Sequence, residues 1–507
     1  MLKKIVFLSF IILMSAPFWG EARYSGLSLS LSLGPAGGQS GYYVDATSGN
    51  DANDGRSPAA AWKTIAKVNG YSFSTGDRIL FKRGEIWRET LTVPGDHLAF
   101  AAYGAGSKPI ITGGDEFVGL AGNWTQETGV GTNIWSRPLT TECKTVIFIK
   151  TGASAYSHGT KESAAANLNA EYEWFWGTNK LYVYATSNPG IYFISVEASQ
   201  RENTIYCERS NCTFNNIVAR NSGTSGSGDI WYFSSAQNIV MNGCEGYFCS
   251  SDTTSNAITN HGTCSMTIND SFFGYCSGPV MALGGTGVPQ TITLNRCLMK
   301  YGARGFSGIA GGTYNLNRCW IVNCNNGLYN SGNLTVNNSL ITNSSSYSLY
   351  FSIASDTVTL NNCTFYQSSG TYGIYLANGT LHMNNCIVYR VGGGAFRKEA
   401  AATYTGDTNC FYCDSPSSYL VRFEGTNYTR ANFATYQAAA SPQDANSLAQ
   451  NPNFTNAGGS YALDTDFQLQ SGSPCLNAGA DLGLMDDYAG KPRPVGSGPD
   501  LGAYEYQ

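Results

Sequence analysis

The stretch TITLNRCLMK at residues 291–300 returns as TYNLNRCWIV at 313–322 and as NLTVNNSLIT at 333–342. In each copy two apolar residues flank one polar residue, an Asn follows, and Cys or Ser stands two places beyond the Asn. Working outward, the same frame is centred on Asn215, Asn242, Asn269, Asn295, Asn317, Asn337, Asn361 and Asn384, at intervals of 27, 27, 26, 22, 20, 24 and 23 residues. Self-similarity at this period marks a solenoid.

The place before each Asn is apolar, from Phe214 and Met241 to Leu360 and Met383. Three places before it, Ile239, Ile292, Leu334 and Leu381 repeat that character, and the residue between is mostly Thr. Apolar, polar, apolar at period two is a strand with one buried face. The Thr and β-branched content and the Gly/Asn clusters argue against helical repeats. A leucine-rich horseshoe would need a regular Leu framework, which is lacking. The expected fold is all-β: a right-handed, single-stranded parallel β-helix. Eight turns stacked at roughly 4.8 Å extend roughly 35–40 Å. The Asn column is expected to form an internal amide ladder, with Cys244, Ser271, Cys297 and Cys319 sharing its facing. The residue between, from Asn216 and Asp270 to Asn362 and Asn385, is expected to face water.

Length and composition agree. A chain of 507 residues is large for one compact core, but a solenoid grows without enlarging its core. Net charge is −5, which leaves no broad basic footprint for nucleic acid. Lys3 and Lys4 precede an apolar run from Ile5 to Met14, and Gly20-Glu21-Ala22 supplies small residues for cleavage. Residues 1–22 therefore read as an export signal, too short for a membrane span, and 23–41 as a flexible leader. Beyond it, 42–114 reads as an N-terminal cap with the first turns, and Ser57-Pro58 opens a capping helix over Ala59 to Val68. Residues 115–200 break the rhythm and are rich in Trp, an inserted β-rich module. Turns dominate 201–400, and 401–507 holds irregular final turns and a cap. Of 15 cysteines, Cys297/Cys319, Cys363/Cys386 and Cys249/Cys276 fall in shared columns. Adjacent turns lie within disulfide reach, yet stacked thiols as core filler are the preferred reading. Cys410 and Cys413 have no second pair to make a zinc site.

Four stretches carry a resemblance: YYVDATSGNDANDGRSPAAAWKTIAKVN (42–69), GDRILFKRGEIWRETLTV (76–93), DFQLQSGSPCLNAGADLG (466–483) and KPRPVGSGPDLGAYEYQ (491–507). They resemble secreted parallel β-helix proteins of the pectate-lyase-like superfamily, the last two being similar to the C-terminal segment of the choice-of-anchor Q type. The resemblance implies an extracellular protein, in some forms attached to the cell surface, with a polysaccharide as partner on the solenoid's flank. The reaction stays open among lyase, glycoside hydrolase and non-catalytic glycan binding. Aromatic faces and outward Thr and Asn suit sugars independently.

Residues 201–400 hold ten Lys/Arg and eight Asp/Glu, so candidate chemistry is confined to few places. Asp270, Arg296 and Arg318 share one column on three successive turns and could hold a uronate carboxylate. Lys300 or Arg304 could take the α proton in β-elimination, with Asp270 in support. The competing reading is a surface salt-bridge ladder with solvated neighbours. His382, replacing Thr in the outward column, is a further substrate-binding candidate. A hydrolase would need two carboxyls at suitable separation, for which Asp252, Asp270 and Glu245 are the nearest set. Glu171 and Glu173 read as a loop edge of the module. No cofactor is required. Ca²⁺ at the Asp45, Asp51, Asn53 and Asp54 turn is a minority reading, because those residues also make ordinary turns.

Overall fold

The computed structural model describes residues 41–507 apart from 118–120, 151–155, 225–227, 251–254, 285–289, 330–331 and 457–460. The export signal and most of the leader lie outside the described residues. The chain winds as a parallel β-solenoid, each turn contributing one short strand to each of three sheets. The first sheet has twelve strands and holds the repeat, as in Ile239–Asn242, Cys264–Asn269 and Gln290–Asn295. The second has eleven, including Glu245–Tyr247, Phe272–Gly274 and Leu298–Lys300. The third has twelve, including Trp231–Ser234, Arg304–Ser307 and Tyr347–Phe351. Every one of the eight Asn stands opposite the next in parallel register.

The amide ladder forms, but on the flank of the turn. Asn242 donates to Asn215 at 2.9 Å, and the chain continues through Asn269, Asn295, Asn317, Asn337 and Asn361 at 2.8–3.1 Å. These side chains are half-buried, whereas Cys244, Cys297, Cys319, Cys363 and Cys386 are fully buried. The shared facing expected for Asn and Cys is therefore wrong. The residue between them adopts left-handed backbone, as at Asn216 (φ 56°), Asp270 (φ 53°) and Arg296 (φ 53°). That single residue resets the two-residue alternation and turns Cys inward. Inside, each thiol donates to a carbonyl one turn back, Cys297 to Ile268 at 3.4 Å for example, and burial pushes the Cys244 thiol up to about 11. Ser271 and Ser339 fit the same column because their hydroxyls accept from Cys244 and Cys319 N–H at 3.0 Å while donating to the ladder Asn carbonyls.

Both ends of the core are closed. At the top, the helix expected over Ala59 to Val68 is split into a 3-10 turn, Pro58–Ala60, and a short helix, Ile65–Asn69. Trp62 interrupts it by bridging to Val44, which seats its indole against Tyr42 and Tyr71. The Asp51 carboxylate then restarts the helix by accepting from Lys63 and Thr64 N–H at 2.8 and 3.0 Å. At the bottom, helix Phe433–Ala440 lays Phe433 and Tyr436 against Phe411, and a buried Asp444 holds it through Tyr404, Tyr436 and Ser447.

Two elements cover the second sheet from outside. The module leaves after Ile110–Thr112 and rejoins at Ile205–Cys207. It comprises a four-stranded and a five-stranded sheet around Trp124, Phe148, Trp174 and Phe193. Sealed Arg220 binds it, 2.9 Å from Glu197, with Arg88 reaching Glu116 and Glu197 at 2.7 and 3.2 Å. Lower down, the described residues of 448–507 run back along the sheet. They bury Trp320, Leu340, Tyr366, Ile387 and Tyr389 under Phe454, Tyr461, Phe467, Leu469 and Tyr504. Arg318, Asn338, Asn362 and Asn385 bond to the carbonyls of Tyr488, Asp486, Asp500 and Ala480. Asn338, Asn362 and Asn385 are thus at most 3% exposed, contrary to the expectation that their column faces water. The C-terminal motif that carries the resemblance is this cover, braced by Arg493 and Glu505 3.1 Å apart and both sealed.

Asn317 both donates and accepts in the ladder, so Asn317→Ala should lower unfolding free energy by about 1–2 kcal/mol in urea titrations. An unchanged midpoint would show the ladder to be a by-product of stacking. Arg493→Met leaves the Glu505 carboxylate buried without its cation, and should loosen the terminal cover by about 3–5 kcal/mol, read as early proteolytic cleavage within 448–507.

Candidate functional site

Between the two covers the second sheet has two turns, Phe272–Gly274 and Leu298–Lys300, whose outward side chains are half-buried. The corner leading from this sheet to the third requires left-handed backbone on successive turns. Asn fills it at Asn221 (φ 57°), Asn323 (φ 55°) and Asn343 (φ 54°), as local sterics favour. Along the strip the same corner is occupied by Phe248 (φ 62°), Tyr275 (φ 57°) and Tyr301 (φ 55°). A bulky residue there costs roughly 1–2 kcal/mol, and three in succession mark a place where ring surface matters more than backbone ease. The rings form a ladder: Phe248 to Tyr275 at 5.4 Å and Tyr275 to Tyr301 at 4.9 Å between centroids. Tyr247 and Phe272 extend it, 6.0 Å apart.

The residues beside the ladder are tied together. Cys249 and Cys276, each next to a ladder ring, form a disulfide with Cα atoms 4.8 Å apart. The preference for stacked thiols fails at this pair, where adjacent turns bring two cysteines into bonding geometry. The other cysteines of the described residues are free and buried. Lys300 lies between the ladder and the sheet, its Nζ 5.5–5.7 Å from the centroids of Phe272, Tyr275 and Tyr301. Gly274 permits this, since a Cβ there would sit 2.3 Å from the Lys300 carbonyl oxygen. The opposite margin is the Arg296–Asp270 pair, bidentate at 2.6 and 2.8 Å. Glu245 one turn above is paired with Lys108 at 2.8 Å. The module supplies the upper rim: His158 stacks on Phe248 at 5.6 Å, and burial pushes it down to about 4, so it is neutral at neutral pH. Tyr156 accepts from Arg220 at 2.8 Å just behind it. Burial also raises the Tyr247 phenol above its ordinary value.

Asp270, Arg296 and Lys300 therefore belong to the same two turns and border one strip. Arg318, one turn lower, is engaged by Asp486 at 2.8 Å and by the Tyr488 carbonyl, under the terminal cover. Arg304 begins the third-sheet strand Arg304–Ser307, its guanidinium 3.8 Å from the Tyr329 centroid. His382 is on the first sheet, hydrogen-bonded to Thr405. Asp252 lies outside the described residues. Glu171 pairs with Lys150, and Glu173 accepts from Asn169 and Ala170 N–H within the module. At the N-terminal turn Asp45 serves Thr47, Ser48 and Lys82, Asp51 serves Lys63 and Thr64, and Asp54 serves Arg56. No group of three or more His, Cys, Asp or Glu converges as a metal site among the described residues. The ladder itself escaped the sequence reading. Its signal is Phe248-Cys249 and Tyr275-Cys276, an aromatic–Cys pair recurring with the period of the Asn column.

No family model and no curated protein matches this chain. Solved β-helix structures overlap it loosely. Pectate lyase Pel9A is 14% identical with TM-score 0.45, covering 94% of this chain and 98% of its own. A glycoside hydrolase is 9% identical with TM-score 0.47, covering 76% and 95%. XylC in complex with xylose is 13% identical with TM-score 0.44, covering 74% and 75%. The site is read from this chain's own residues.

If the ladder is kept for contact rather than stability, Tyr301→Asn should be nearly neutral. Relief of left-handed strain offsets the lost ring pair to within about 1 kcal/mol. A loss above about 3 kcal/mol in denaturant titration, the scale of a core truncation, would make the ring structural.

Proposed function

We propose that the strip binds an acidic polysaccharide outside the cell and cleaves it by β-elimination. The observation that carries this is the pair of half-buried rings, Tyr275 and Tyr301, held in unfavourable backbone beside one lysine. Ring faces stack on the C–H faces of sugars, and Arg296 attracts the carboxylate of a uronate. In the reaction Lys300, deprotonated, takes the proton α to the carboxylate, the electron pair forms the C4–C5 double bond, and the C4–O bond breaks. The leaving oxygen takes a proton and becomes the new chain end. Hydrolysis fits the site less well. It needs a protonated carboxyl as general acid, and the carboxylates of the strip, Glu245 and Asp270, are each bound to a cation. Arg304, Arg318 and His382 are left outside the reacting centre.

A second reading, glycan binding without cleavage, draws support from the three rings around Lys300, which favour its charged form. Among the described residues no helix is long and apolar enough to cross a membrane, and the export signal read at residues 1–22 supports an extracellular place.

The test is incubation with polygalacturonate, alginate and neutral xylan. A rise in ultraviolet absorbance from the unsaturated product on an acidic polymer, lost by about a hundredfold or more in Lys300→Ala as for a removed acid–base group, supports the lyase. New reducing ends without absorbance would replace it with hydrolysis. Binding weakened in Lys300→Ala, with no product from the parent, would leave a glycan-binding protein.

A further inference from the structure

The third sheet carries an ordered outer surface that the strip does not use. Its outward positions form two columns in register. One runs Arg304, Asn326, Tyr347, Tyr372, and the other Tyr329, Tyr350, Tyr375, Arg397, Arg422. Tyr419 continues the first, 6.2 Å from Tyr372. Down the second column the rings are 5.1 and 5.4 Å apart, and across the columns 5.4 and 5.6 Å. Outward positions on the first sheet carry Thr instead, as at Thr267, Thr293, Thr335 and Thr359. Lower on the second sheet, outward Trp320, Tyr366 and Tyr389 are covered by the chain itself. Tyr329, Tyr347, Tyr350 and Tyr375 stay half-exposed.

The charge of this face is opposite to that of the chain. In a protein of net charge −5, every ionic side chain of the two columns is an arginine. Arg397 bonds to Tyr372 at 2.8 Å and pairs with Glu399, whereas Arg304 and Arg422 have no carboxylate partner among the described residues. We propose that this face is a second binding surface for an acidic polysaccharide, holding one extended strand along the solenoid axis. Flat rings with rim hydroxyls meet alternating C–H and O–H edges of sugars, and the arginines meet carboxylate or sulfate. The turn repeat of about 4.8 Å is commensurate with one hexopyranose unit of an extended chain, so consecutive sugars would meet equivalent partners. The surface meets the strip at Arg304, three residues past Tyr301 of the ladder, and extends below it along the third sheet; the two share the class of polymer. Its role is to keep the protein on the polymer while the strip works.

The experiment is affinity electrophoresis of the full chain through gels containing polygalacturonate, alginate, dextran sulfate or neutral xylan, with product formation on short uronate oligomers measured in parallel. The parent should be retarded by an acidic polymer, carboxylated or sulfated according to which group the arginines take. The Tyr350→Ala/Tyr375→Ala variant should lose about fivefold or more in apparent Kd, as two lost ring contacts imply. Arg422→Gln, at the sheet's lower end, should weaken retardation with the fold intact and should steepen no salt dependence. Short-oligomer turnover should be unchanged in both. Retardation equal in parent and variants, or absent with every acidic polymer, overturns the inference even if Lys300→Ala abolishes turnover. Retardation lost in the platform variants, with no product from the parent, upholds it and rejects the lyase instead.

Discussion

The structure depends on one constraint: each turn must place its backbone groups opposite those of the next. A parallel solenoid has no hairpin to close its hydrogen bonds locally, so N–H and C=O groups find partners only one turn away. The left-handed residue after each ladder Asn makes this repeatable. It bends the chain at the same point on every turn, sends Cys or Ser inward, and leaves the Asn amide to bond up and down the flank. Side chains on every face then fall into columns. A functional surface on such a coil is a column of like residues, and its reach is a count of turns.

That geometry creates a difficulty which the chain resolves in two places. The outer face of the second sheet is too apolar for water, with Trp320, Leu340, Tyr366 and Ile387 pointing away from the core. The module covers the upper part through a sealed Arg220–Glu197 pair, and residues 448–507 cover the lower part through backbone carbonyls. The uncovered turns between them hold Lys300 with Tyr275 and Tyr301, two rings in unfavourable backbone. Location and strain thus point to the same strip by different physical routes. A further aromatic face, on the third sheet, has no such cover from the described chain.

Much of the coil was legible because burial alternates at period two and the turn recurs at nearly constant length. Asn295, Asn317 and Asn337 could be placed over one another from spacing alone, and Asp270, Arg296 and Lys300 share turns as their positions in the repeat require. The facing of the Asn column was misread because one left-handed residue shifts alternation by a step, and nothing in the apolar pattern records that shift. The burial of Asn338, Asn362 and Asn385 was hidden for a different reason. Their partners are carbonyls 95 to 148 residues away, in a segment without periodicity. The split of the first helix at Trp62 likewise follows from a tertiary contact, the seat of its indole under Tyr42, rather than from local preference.

The terminal cover also acts as a ruler. It grips Arg318, Asn338, Asn362 and Asn385 at fixed points along its own length, so gaining or losing one winding in that stretch would throw every grip out of step. Windings between Phe248, the module's lowest contact named above, and Arg296 have no such gauge against them, and their repeats are longer, 27 and 26 residues against 20 to 24 below. Duplication or loop growth would disturb the fewest grips there, where the ring ladder sits. The lower part is held to one length, and kin of this protein should differ in height chiefly above the clasp.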